Sequence, residues 1–227
     1  MKRFKSVLML AVVGASSAAL ANGTLSGTVS FSGTPPVPEP LKRNSDPFCA
    51  KKQMNDESLL VKGGKLQNAV VRLKNAPGGP PPAASVVMDQ QDCMYRPRVV
   101  GAVEGQKVEV RNSDGTLHNV HSYAGTRTLF NQAQPPKSSP LVKEMKADSD
   151  VVKLKCDVHP WMTGYVVFSK SPYFAVTGED GAFELKNVPP GTYTLEAWHE
   201  KLGTQAVEVK VEDKKTAQAK LTFAAAK

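Results

Sequence analysis

The chain has 227 residues, with 29 Lys and Arg against 21 Asp and Glu and a formal net charge of +8. That excess is mild and is nowhere gathered into basic clusters interleaved with aromatics, which sets nucleic acid aside and favours an acidic protein partner. Beyond the N-terminal stretch no segment approaches the roughly 20 apolar residues of a membrane helix, so no membrane span is expected.

The first residues, Met1-Lys2-Arg3-Phe4-Lys5, precede an apolar run from Val7 to about Leu20 and the small-residue pattern Ala19-Leu20-Ala21. This reads as a secretory signal peptide over residues 1–21, cleaved after Ala21, with no cysteine there to carry a lipid anchor. The mature protein is expected to be exported, which in a bacterium means periplasmic or secreted. Its formal charge falls to +5 with the loss of Lys2, Arg3 and Lys5.

Strand patterns then dominate. Thr24 to Ser32 alternates through Leu25, Gly27, Val29 and Phe31. Val99 to Val110, Val151 to Leu154, Tyr165 to Phe168, Phe183 to Leu185, Tyr193 to Ala197 and Val207 to Val211 do the same. Turns are marked by Gly63-Gly64, Glu104-Gly105, Ser113-Asp114-Gly115, Glu179-Asp180-Gly181 and Pro189-Pro190-Gly191. Pro35 to Pro40 and Pro77 to Pro82 break ladders and are linker candidates. Many short strands without helical periodicity predict an all-β chain, most simply two β-sandwiches.

Three cysteines in an exported chain leave one over. Cys49 and Cys93 are expected to pair, closing a loop of about 45 residues and stabilising the fold by about 4 kcal/mol. The other reading, a disulfide at Cys156, sits badly with that residue's neighbours. Cys156-Asp157-Val158-His159-Pro160-Trp161-Met162, read with His118, offers a thiolate, two imidazoles and a thioether. Two His and one Cys with a weak axial Met form the electron-transfer type of copper site, because soft sulfur suits Cu(I) while imidazole serves both oxidation states.

From Arg98 to Phe168 the chain resembles the cupredoxins, most closely amicyanins and plastocyanins. The resemblance lies in the His118-Asn119-Val120-His121 element and the short Cys-x-x-His-x-x-Met loop between two strands. It implies a Greek-key β-sandwich with one type 1 copper held by His118, Cys156, His159 and Met162. It also implies that Asn119 ties the first ligand strand to the loop and that Pro160 stiffens the loop. Asp157 departs from the Thr or Ser usual after the cysteine. His121 is expected beyond the site, and electrons are expected to leave through an exposed edge of His159 with Trp161 as an apolar rim or a core anchor.

Phe174 to Leu195, with its Asp180-Gly181 and Pro-Pro-Gly turns and the Tyr193-x-Leu195-x-Ala197 strand, resembles carboxypeptidase regulatory-like (transthyretin-like) sandwiches. Such domains begin with a strand like Gly23 to Val29 and carry one like Gly64 to Leu73. The expected layout is therefore one discontinuous sandwich from residues 22–76 and 171–227, with a copper domain at 84–170 inserted into it. The alternative is two separate domains, the first segment completing the copper domain.

Other chemistries fit less well. Four histidines are too few for two imidazole ligands plus a trinuclear copper cluster, and His199 is expected to be structural. Structural zinc sites favour paired Cys-x-x-Cys spacing, and Met is a poor zinc ligand. No nucleophilic triad or phosphate-cradling loop is apparent. The expectation is an electron carrier with a redox protein partner and not an enzyme, the alternative being copper binding and delivery or a cell-surface role.

Overall fold

A computed structural model describes residues 21–145 and 149–225. The signal peptide expected over 1–21 lies outside the described residues apart from Ala21. The strands in the first half are β1 (Gly23–Ser32), β2 (Val61–Lys62), β3 (Lys65–Leu66), β4 (Val70–Leu73), β5 (Val86–Gln91), β6 (Met94–Arg96), β7 (Val99–Val103) and β8 (Lys107–Asn112). There follow β9 (His118–Ala124), β10 (Arg127–Gln134), β11 (Leu141–Glu144), β12 (Val151–Lys155) and β13 (Thr163–Ser169). The last are β14 (Phe174–Val176), β15 (Ala182–Val188), β16 (Gly191–His199), β17 (Gly203–Val211) and β18 (Thr216–Ala224). Among the described residues the only helical element is a 3-10 turn at Cys49–Lys51. The chain is all-β, and its sheets pack as two sandwiches.

One sandwich draws on both ends of the chain. Its first sheet runs β15-β1-β3-β2, with β18 along the other edge of β1. Its second runs β14-β4-β16-β17. The alternation of β1 sends Leu25, Val29 and Phe31 into a core shared with Leu73, Phe183, Leu185, Leu195, Leu221 and Phe223. Val29 stands in register with Leu221 in a parallel ladder. Gly27 is required there, because a Cβ at that position would lie 1.9 Å from the Ala219 carbonyl oxygen. Gly181, at φ +64° in the expected Asp180-Gly181 turn, closes on the Val29 carbonyl oxygen.

The other sandwich is built from β10-β9-β12-β13-β7 over β11-β8-β5-β6. Parallel pairs β13 with β7 and β5 with β8 mark chain crossovers between ends of the sandwich. Its core holds Met88, Tyr95, Val108, Val110, Val120, Leu154, Val166 and Phe168, together with Cys49, Cys156 and Met162. Phe48 and Cys49 thus leave the first sandwich's stretch of sequence and pack on the second.

Between the two lies a small apolar cluster of Val70, Val99 and Val167, packed by Val151, Tyr165, Val176 and Trp198, with ion pairs of Arg72 and Arg98 nearby. Arg98 Nη2 donates to Glu200 Oε2 at 2.8 Å, and both side chains are almost fully buried. Arg72, on a strand buried along both faces, donates to Glu196, to Asp150 and to the Phe168 carbonyl. β4 thus reaches across to both β13 and the loop before β12.

His199, at the end of β16, is buried as expected of a structural residue. Burial, with Arg98 nearby, holds its imidazole down at about 4 from the ordinary 6.5. The folded chain therefore keeps His199 neutral where the unfolded chain protonates it, so this contribution is full above pH 6.5 and declines as pH falls toward 4. Chemical unfolding should lose about 2 kcal/mol on this account between roughly pH 7.5 and pH 5, and a His199→Phe variant should lack that slope.

Candidate metal centre

Strand β9 begins at His118 and alternates beyond a buried Asn119, so that His118, Val120 and Ser122 are buried while His121 and Tyr123 are partly exposed. Strands β12 and β13 pair up to Lys155 and Thr163, leaving residues 156–162 as a closed loop between them. Backbone bonds from Cys156 N to Met162 O at 3.4 Å, and from Met162 N to His159 O at 2.9 Å, pinch that loop shut. A tight loop on paired strands fixes its inward side chains.

Three donors converge as a result. His118 Nδ1 and His159 Nδ1 are 2.9 Å apart. Cys156 Sγ lies 4.0 Å from the first and 3.7 Å from the second. All three residues are wholly buried, as is Met162 in the same core. Cys156 is the free cysteine, and Cys49 is bonded to Cys93.

The outer nitrogens explain the inner ones. His118 Nε2 is 2.9 Å from Asp114 Oδ2, and His159 Nε2 is 2.9 Å from Asp46 Oδ2. A carboxylate only accepts, so each Nε2 carries the hydrogen and each Nδ1 is left as a lone pair. Two lone pairs facing at 2.9 Å call for a cation or a proton between them. Burial raises the Cys156 thiol, but contacts with the His118 and His159 imidazoles and with the Asn119 and His159 backbones outweigh it and bring the thiol down to about 6. That shift favours the thiolate, the form that ligates metals. Burial opposes protonation of His118, while Asp114 and Cys156 outweigh it and raise its pKa.

Asn119 links strand β9 to the cysteine loop. Its backbone NH lies 3.5 Å from Cys156 Sγ, and its side-chain oxygen accepts from Asp157 N at 2.7 Å. Asp157 turns outward to His121 Nδ1 at 3.0 Å, and the Tyr123 hydroxyl is 2.8 Å from the same nitrogen. His121 is therefore engaged away from the three inner donors, on the outer face. Pro160 is exposed within the loop.

One feature departs from expectation. His159 has no exposed edge, because residues 43–52 and the disulfide cover it, with Cys49 Sγ 3.7 Å from Nε2. Trp161 is no free rim but an anchor, its indole NH donating to Cys93 O at 3.0 Å beneath the Arg43 guanidinium. Arg43 also donates to the Lys52 and Asp92 carbonyls. Phe48 packs on Gly115, where a Cβ would come within 2.9 Å of its ring.

Asp46 and Asp114 were missed by sequence reasoning. Asp114 was read as a turn residue, and its spacing four residues before His118 was the available signal. Asp46 gave none beyond lying three residues before Cys49. Burial pushes the Asp46 carboxyl up, yet bonds from His159, Thr116 and the Cys49 and Phe48 amides overcome it and hold it at about 2.

A family model for the β-sandwich domain of ER membrane protein complex subunit 7 matches residues 158–226. Among solved structures the neighbours are cupredoxins. A purple cupredoxin from Nitrosopumilus maritimus is 22% identical with a TM-score of 0.33, covering 37% of this chain and 100% of its own. Amicyanin from Paracoccus versutus is 19% identical with a TM-score of 0.33, covering 44% of this chain and 97% of its own. No curated protein matches the chain.

Proposed function

We propose that this chain is an exported copper protein that transfers single electrons, with one copper ion held by His118, Cys156, His159 and Met162. The observation that carries the reading is the buried pair of imidazole nitrogens 2.9 Å apart beside the sulfur of the free Cys156. Separations of 2.9, 3.7 and 4.0 Å suit two nitrogens and a sulfur sharing one first-row ion, at about 2.0 Å from nitrogen and 2.3 Å from sulfur. Imidazole and thiolate together with a buried thioether select copper. Bound copper supplies one-electron redox chemistry, and the chain's part is to keep its donors still. His118 sits on β9, Cys156 follows β12 and Met162 precedes β13, so the frame resists rearrangement. The Asn119 amide beside Cys156 Sγ disperses thiolate charge.

In this reading the layout is a discontinuous sandwich from residues 22–76 and 171–227 around a copper domain at 84–170, supported by the Val29–Leu221 ladder. With His159 covered, electrons cross at the outer face, where Asp157, bonded in sequence to Cys156, meets His121 and Tyr123. Lys153 and Lys155, in register with Tyr123 and His121, suit an acidic redox partner. No helix among the described residues is long and apolar enough to cross a membrane.

Loading the mature protein with Cu(II) should give an intense thiolate-to-copper absorption band and a small copper hyperfine splitting. Cys156→Ala should abolish the band, His118→Ala should remove or distort it, and Met162→Leu should keep it with a raised potential. His121→Ala should retain the colour. A pale, large-splitting spectrum from the wild type would remove Cys156 from the ligand set and with it this reading.

The coverage of His159 also favours a second reading, copper held or delivered rather than cycled. Exchange with small redox mediators separates the two, since a carrier exchanges quickly and reversibly.

A further inference from the structure

The two carboxylates behind the histidines are built into the chain in matching ways. Asp114 accepts from His118 Nε2 and also from the backbone amides of Asp92 at 2.8 Å and Cys93 at 2.7 Å. Asp46 accepts from His159 Nε2 and also from Thr116 Oγ1 at 2.8 Å and the backbone amides of Phe48 at 2.7 Å and Cys49 at 3.2 Å. Each carboxylate thus grips one histidine and the amide of one half-cystine. The Cys49–Cys93 bond joins the two grips into a closed ring around the inner donors.

The ring matters because its Asp46 side is held by no sheet. Residues 41–58 join no named strand, and apart from the 3-10 turn their ladder pairing is a lone bridge between Pro40 and Asn55. What presses Asp46 against His159 is the disulfide, helped by Arg43, the Lys52–Asp92 ion pair and Phe48. Without Asp46 in place, His159 is free to put its hydrogen on Nδ1 and turn its lone pair away from the centre. The carboxylates also place two negative charges one imidazole away from the ion, which favours a doubly charged ion over a singly charged one.

We propose that the Cys49–Cys93 disulfide acts on the metal centre through Asp46 and Asp114, so that His118 and His159 are set to receive an ion tightly only in the disulfide-bonded chain. The proposal rests on the copper reading above for the identity of the ion. A dithiol reductant would deliver two electrons and two protons, break the sulfur–sulfur bond to two thiols and itself become a disulfide. Both carboxylates would then be released from their common frame. The site would accordingly be completed only after export to an oxidising compartment.

The test uses the full mature chain as wild type, D46N, D114N, C49A/C93A and the combination of all four substitutions, each checked for folding by circular dichroism. Copper affinity is read by chelator competition, and the potential by mediated titration. D46N and D114N should each weaken Cu(II) by about 10- to 100-fold, Cu(I) by less, so that the potential rises. C49A/C93A should weaken Cu(II) comparably, and adding both Asn substitutions to it should cost less than about threefold more, the non-additivity of groups acting as a unit. Wild-type affinity in C49A/C93A, or effects that multiply, would overturn the proposal.

A metal-free readout separates it from the copper reading. Nitrogen-15 spectra of the metal-free wild type should show hydrogen on Nε2 of both histidines, and C49A/C93A and D46N should lose this for His159. Unchanged tautomers in both variants sink the disulfide link even if the wild type turns blue. Changed tautomers in the variants, beside a wild type that never turns blue, support the link and sink the copper reading. Where C49A/C93A does not fold, the metal-free wild type reduced with a dithiol takes its place, and an unchanged His159 tautomer there overturns the proposal.

Discussion

Arg98→Met will lower the stability of the protein by about 3–5 kcal/mol, read by chemical unfolding, because it strands the Glu200 carboxylate in the interior. Glu200 has little water to turn to, since its side chain is 4% exposed and that of Arg98 only 7%. Burial works against the guanidinium's charge, but Glu200 outweighs it and raises the Arg98 pKa. The same carboxylate, after burial itself, helps push the Tyr165 hydroxyl up to about 12, so an unpaired Glu200 would also disturb that neighbour. Replacing both partners, as Arg98→Met with Glu200→Leu, should recover most of the loss, since removing a buried pair together leaves no orphaned charge. A single variant as stable as the wild type would show that the pair is not desolvated in solution.

Removing the disulfide, as Cys49→Ala with Cys93→Ala, should cost about 4 kcal/mol, the loop-closure entropy returned to the unfolded chain for a separation of 44 residues. Both sulfurs are buried in the core of the metal-bearing sandwich, so two small cavities add to that figure. The cost should appear as a lower denaturant midpoint. It should also appear as faster hydrogen exchange at the Phe48 and Cys49 amides, which Asp46 now holds. An unchanged midpoint would mean that Arg43 and Phe48 secure the segment unaided.

How much of this could be read in advance follows from where each signal lives. The alternating runs at β1, β12, β15 and β16 were legible because each has one face in a core, and alternation records that. β10 was not, because it is an edge strand exposed along most of its length, with no apolar period to read. The parallel pairing of β1 with β18 joins residues from opposite parts of the chain and leaves no local mark. At the centre, the cysteine loop was legible because local geometry alone brings Cys156, His159 and Met162 together. Parity of the cysteines pointed to the Cys49–Cys93 bond, now seen directly. The cover over His159 was invisible, since it depends on how a segment a hundred residues away lies down. Asp46 looks like any turn aspartate until its partner is known.

The ladder between β1 and β18 has a mechanical consequence. The strands run side by side in the same direction for nine residues, so tension applied at the start of β1 and the end of β18 pulls on opposite ends of one zipper. Such a load shears the ladder, and its hydrogen bonds must give way together instead of one after another. Everything between the two strands, the metal-bearing core included, lies outside the line of force until that ladder breaks. The resistance of the protein to stretching would then be set by the unfolding rate of this one pairing.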